Sequence, residues 1–137
     1  MTRLTLFRVC LAAALVALPA CSDDDNGPST TPDFNGTWVG EYTVSLQPGV
    51  TYEGVLTVTG SGSTYTGTLS TSAERTADVA GTVSGGRLTG TFTYTDGCDG
   101  SATFSASLSS DGERVTGSYQ SNDCIGSYTG TFSMAKQ

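Results

Sequence analysis

The sequence predicts an all-β protein, an eight-stranded antiparallel up-and-down meander barrel, and three observations carry that prediction. A five-residue unit of apolar, any, Gly, any, apolar recurs between residues 38 and 132. Its apolar members alternate with Thr or Ser at period two, the pattern of half-buried strands. Two pairs of units are also separated by Gly85-Gly86 and Asp111-Gly112, dipeptides that tolerate the positive backbone angles of tight hairpin turns.

The units follow in order. Trp38-Val39-Gly40-Glu41-Tyr42 opens the series, followed by Tyr52-Glu53-Gly54-Val55-Leu56, Tyr65-Thr66-Gly67-Thr68-Leu69 and Val79-Ala80-Gly81-Thr82-Val83. The fifth is Leu88-Thr89-Gly90-Thr91-Phe92, and the sixth, Phe104-Ser105-Ala106-Ser107-Leu108, carries Ala for Gly. Val115-Thr116-Gly117-Ser118-Tyr119 and Tyr128-Thr129-Gly130-Thr131-Phe132 complete the set. With neighbouring glycines set opposite one another, the hairpin midpoints fall on Gly85-Gly86 and Asp111-Gly112. The same register centres one loop on Cys98 and another between Asp123 and Cys124. Alternate loops of a meander emerge at one end, so Cys98 and Cys124 come within reach of a disulfide. Closing the sheet removes both open edges, which favours a barrel over a β-sandwich of the same strands. Strand tilt makes the glycines a ramp that eases bending.

Ahead of this domain, Arg3 and Arg8 precede an apolar run from Val9 to Ala20, the order of a secretory signal and too short to span a bilayer. Leu18-Pro19-Ala20-Cys21 resembles the lipobox of bacterial lipoproteins, which implies lipidation at Cys21 and a membrane partnership through that anchor. Residues 1–20 are then the signal peptide, 21–32 the lipidated cysteine with an acidic and polar tether, and 33–137 the barrel domain. Ser22-Asp23-Asp24-Asp25 resembles the signal that places some Gram-negative lipoproteins on the outer face of the outer membrane. The expected location is therefore the outer membrane, exposed at the cell surface or otherwise facing the periplasm. Processing removes Cys10, Arg3 and Arg8, leaving Arg75, Arg87, Arg114 and Lys136 against 13 acidic residues, a net charge of −9. Such scattered cations do not make a phosphate-binding surface, so nucleic acid is excluded as a partner.

The outward positions Thr43, Thr57, Thr68, Thr82, Thr91, Ser107, Ser118 and Thr131 are polar, the reverse of a membrane-spanning barrel. Gly36-Thr37-Trp38 resembles the Gly-x-Trp that opens lipocalins, avidins and related barrels, the calycin group, and Leu88–Phe92 is similar to an avidin strand. The resemblance implies a binding barrel closed near the Trp, whose ring a late basic residue, here Lys136, covers. Trp38 is the only Trp, so an avidin-like biotin cage is not implied, and the strands are shorter than a typical lipocalin's.

Assigned by end, Leu56, Tyr65, Val83, Leu88, Leu108, Val115 and Phe132 gather with Trp38 at a sealed end. Tyr42, Tyr52, Tyr94, Tyr119 and Tyr128 gather at the other, with Leu69, Val79, Phe92 and Phe104. Tyrosine joins an apolar body to a hydroxyl that needs a partner, which suits the mouth of a ligand cavity. The chain holds no His and, after maturation, no free Cys, so no nucleophile and base are paired and no enzyme is expected. Glu41 and Glu53 face outward without a pocket. Asp96, Asp99, Asn122 and Asp123 are turn residues at the mouth, and neither metal nor cofactor is expected. Two functions remain: binding of a small apolar or amphipathic ligand at the tyrosines, or a protein-interaction module, such as a barrel-type protease inhibitor or surface adhesin, with a filled barrel.

Overall fold

The computed structural model describes residues 31–137, and the signal peptide, Cys21 and most of the tether lie outside the described residues. The eight units become β1 (Gly36–Thr43), β2 (Thr51–Ser61), β3 (Thr64–Thr71), β4 (Thr76–Ser84), β5 (Arg87–Tyr94), β6 (Gly100–Leu108), β7 (Arg114–Asp123) and β8 (Gly126–Lys136). Each pairs antiparallel with its sequence neighbour, and β1 pairs with β8, so the sheet closes into a barrel in strand order and is not a sandwich. The period-two pattern explains the layering. Inward apolar side chains alternate with exposed Thr and Ser, as in β2, where Leu56 and Val58 are buried while Val55, Thr57 and Thr59 are exposed.

The expected register holds in three hairpins and slips in four, by four residues between β2 and β3 and by two in the other three. Gly40 faces Gly54, Gly81 faces Gly90, and Ala106 faces Gly117, with turns on Gly85-Gly86 and around Asp111-Gly112. Elsewhere Gly67 lies opposite Val58 and Val79, Gly90 opposite Phe104, and Gly130 opposite Tyr119. The β5–β6 loop is therefore centred on Gly97, not Cys98, and the β7–β8 turn lies between Cys124 and Ile125.

Aromatic packing accounts for several of these slips. Gly60 and Gly81 face Tyr65, Gly117 faces Phe132, and Gly130 faces Tyr119. A Cβ at Gly60, Gly117 or Gly130 would overlap the facing ring, so those rings lie over the glycines and fill the gaps left by the missing side chains. A slip by two or four residues keeps every residue on its own face, so it costs nothing in burial pattern. At closure Gly40 meets Met134, four residues beyond the glycine of β8, the displacement that strand tilt requires.

One end is sealed as expected. Trp38 and Phe34 are each 1% exposed, and the indole Nε1–H donates to the Phe34 carbonyl at 3.0 Å. Lys136 Nζ lies 5.3 Å from the centre of the Trp38 ring, which gives that ring the late cation the resemblance implied. The seal extends to a residue outside the strand repeat. Phe34 packs edge-on against Tyr65 at 6.0 Å, while Asn35 Oδ1 accepts the Gly60 amide at 2.6 Å and pins this entry segment to β2.

A tyrosine-lined cavity at the open end

The β1–β2, β3–β4, β5–β6 and β7–β8 loops share the end opposite Trp38, and the Cys98–Cys124 disulfide joins the last two. Beneath them lies a cavity of about 260 Å³. All five tyrosines assigned to this end line it, Tyr42, Tyr52, Tyr94, Tyr119 and Tyr128, above an apolar floor that includes Leu69, Phe92 and Met134. Leu56 and Phe132 belong to this wall as well, although the sequence placed both at the sealed end. Phe132 pairs with Tyr42 across the β1–β8 seam, so strand tilt carries it toward the mouth. A larger open groove, about 690 Å³, runs over the outer wall beside the β1–β2 loop, lined mainly by Thr, Ser and Gln and by no charged side chain. It offers less to a ligand than the enclosed aromatic site.

Each tyrosine is fixed by its surroundings. Tyr42 and Tyr52 stack at 5.3 Å, and Tyr119 meets Tyr128 edge-on at 6.3 Å. The Tyr52 hydroxyl donates to Gln47 Oε1. The Tyr119 hydroxyl donates to the Thr43 carbonyl at 2.7 Å, its ring crossing Gly130 to reach the end of β1. Tyr128 donates to Asp123 Oδ2 at 2.7 Å, and Tyr94 meets Ser121 Oγ at 2.9 Å.

Arg75, on the β3–β4 loop, is the functional candidate that sequence reasoning passed over. Its guanidinium lies 4.1 Å from the centre of the Tyr94 ring, with Nε 2.5 Å from Asp96 Oδ2 and Nη2 3.1 Å from Asp123 Oδ2. Both contacts are ion pairs lying off the N–H axes, not aligned hydrogen bonds. The acidic group expected at the mouth is thus partly built into a charged cluster around Arg75. Desolvation opposes ionisation of Asp96, but the Cys98 and Thr76 amides and Arg75 outweigh it and hold its carboxyl below the ordinary value. Asp123 lies within 4.8 Å of both cysteine sulfurs, yet those sulfurs are bonded to each other and offer no thiolate to a metal.

Burial pushes Tyr42, Tyr119 and Tyr128 above the ordinary phenol value of 10.0, and for Tyr128 the bond to Asp123 adds to it. A raised folded value means that this contribution to stability is complete below pH 10 and is lost as pH climbs through the folded values. Tyrosine ionisation and loss of the β-sheet signal are therefore expected to occur together above pH 10 in an alkaline titration. Tyrosines that all ionised near pH 10 in an intact barrel would contradict the packing described.

No family model and no curated protein matches the sequence. Among solved structures, the chain is similar to a protein of unknown function from the DUF3598 family of Nostoc punctiforme, with a TM-score of 0.48 and 14% identity over 76% of this chain. It spans 48% of that protein, about half its length. Apo lipid binding protein 8 of Caenorhabditis elegans gives a TM-score of 0.43 and 15% identity, covering 76% of this chain and 95% of that one. Zebrafish ileal bile acid-binding protein, complexed with cholic acid, gives 0.42 and 13%, covering 76% and 98%. At these scores the likeness assigns neither family nor ligand, and the barrel assignment rests on the strand pairing of this chain.

Proposed function

We propose that this protein is a binding barrel, not an enzyme, that takes a small apolar or amphipathic ligand at its tyrosine-lined mouth. The reading places it at the outer membrane, held through lipidated Cys21. The observation that carries the binding reading is the cavity itself. Five amphipathic rings surround about 260 Å³ of space above an apolar floor, while the opposite end is closed by Trp38 and Phe34. That volume is just below the range of about 300–1,000 Å³ common to small-molecule sites, so a ligand of one or two rings or a short chain suits it. The interaction-module alternative draws support from Leu46 and Ile125, which are 53% and 61% exposed at the rim.

The test is saturable uptake of a neutral aromatic probe, N-phenylnaphthylamine, followed by its fluorescence. Tyr42→Ala is expected to weaken uptake about tenfold, the equivalent of about 1.4 kcal/mol from one ring. Leu108→Ala, outside the cavity wall, is expected to leave uptake within about twofold and to lower stability by about 2 kcal/mol. No uptake by the folded protein would return the interaction module. The anchor is tested separately, since Cys21→Ser is expected to release the protein from the membrane fraction, and full retention without lipid labelling would overturn it.

A further inference from the structure

The polar atoms of the mouth restrict what the ligand can carry. A tyrosine hydroxyl has one proton, and at four of the five tyrosines of this cavity that proton is spent within the protein. Tyr52 donates to Gln47, Tyr119 to the Thr43 carbonyl and Tyr128 to Asp123. Ser121 Oγ donates to Asp123 Oδ2 at 3.5 Å, which leaves the same oxygen to accept the proton of Tyr94. These four tyrosines therefore present a ligand with oxygen lone pairs and the negative faces of their rings.

The charges have the same sense. Arg75 is the cation of the cavity wall, and it is already held between Asp96, Asp123 and the face of Tyr94. The two carboxylates are pinned and do not yield their places. Asp96 Oδ1 accepts the Cys98 amide at 3.0 Å, and Asp123 Oδ1 accepts the Ile125 amide at 3.0 Å. Arg75 lines the cavity, but Asp96 and Asp123 contact it at 2.5 and 3.1 Å, so its charge is already compensated and the cluster of one cation and two anions is net negative.

Resting on the binding reading above, we infer that the ligand's polar end is a cationic hydrogen-bond donor, such as a primary ammonium, and that carboxylates are rejected. The ammonium lodges among the tyrosine oxygens and ring faces, in the field of the Arg75–Asp96–Asp123 cluster, while the apolar part descends to Leu69 and Phe92.

Three probes sharing one ring and differing in head charge test this: benzylammonium, benzyl alcohol and phenylacetate, titrated into the full chain and followed by the NMR signals of the tyrosine rings. Benzylammonium is expected to bind at least tenfold more tightly than phenylacetate, with the alcohol between them. Asp96→Asn is expected to shrink that ratio at least threefold, and Arg75→Gln, which removes the cation, to widen it by a similar factor. The comparison within the unsubstituted protein decides the matter even if either variant fails to fold. Phenylacetate binding as tightly as benzylammonium, with the alcohol also bound, would overturn the charge preference and leave the cavity reading standing. Absence of binding by all three would overturn both.

Discussion

Trp38→Ala is expected to cost about 3–5 kcal/mol, the range for truncating a large buried aromatic. The indole is 1% exposed at the sealed end, and its loss removes three things together. The first is apolar burial against Phe34 and the floor of the barrel. The second is the hydrogen bond to the Phe34 carbonyl, which would be left buried without its donor. The third is the ring face under Lys136. Folded domains are stable by only about 5–15 kcal/mol, so this single change removes a large part of the total. Urea unfolding is the measurement. A midpoint that falls while the slope stays constant is expected, because the same chain surface is still exposed on unfolding. Trp38→Phe keeps most of the volume and is expected to cost about 1–2 kcal/mol. A Trp38→Ala midpoint equal to that of the unsubstituted protein would mean that this end is not sealed by the indole.

The strands were legible because period two and the Gly-centred apolar units reinforce each other from Trp38 to Phe132, and because Gly85-Gly86 and Asp111-Gly112 mark their turns independently. The register slips were not. Sliding a strand by two leaves every side chain on its original face, so the alternating pattern fits both registers equally. What selects between them is three-dimensional: whether Tyr119 and Phe132 can lie across Gly130 and Gly117. The tyrosine cluster could be read from strand polarity alone, since residues on one side of each central glycine share an end. Phe132 escaped that rule because it crosses to Tyr42 at the tilted seam. Arg75 left no local signal. It is one cation in a loop, and its role exists only because the β5–β6 loop and the end of β7 bring Asp96 and Asp123 to it from 21 and 48 residues away. Phe34 was hidden for a similar reason, since it stands among polar residues ahead of the first strand and becomes core only when the entry segment folds across the barrel end.

Replacing both Cys98 and Cys124 by Ser is expected to lower stability by about 3–4 kcal/mol while leaving the cavity able to bind. The bridge spans a sequence separation of 26, and the chain-entropy estimate for closing a loop of that length is about 3.5 kcal/mol at room temperature. That estimate acts on the unfolded chain, which gains freedom when the bridge is removed, and it requires no change in the folded barrel. The folded mouth has other restraints of its own. The β5–β6 loop is held through Asp96 to the Thr76 amide and to Arg75, while Asp123 is held by Arg75 and by the Tyr128 hydroxyl. These contacts cross the same loops as the disulfide. Probe affinity at the tyrosine cavity is therefore expected to stay within about threefold of the parent, even as the urea midpoint falls. The two measurements separate the two places where a bridge can act. A fall in stability alone assigns the disulfide to the unfolded chain, whereas parallel collapse of stability and affinity would show that Arg75 and its carboxylates cannot hold the mouth without it.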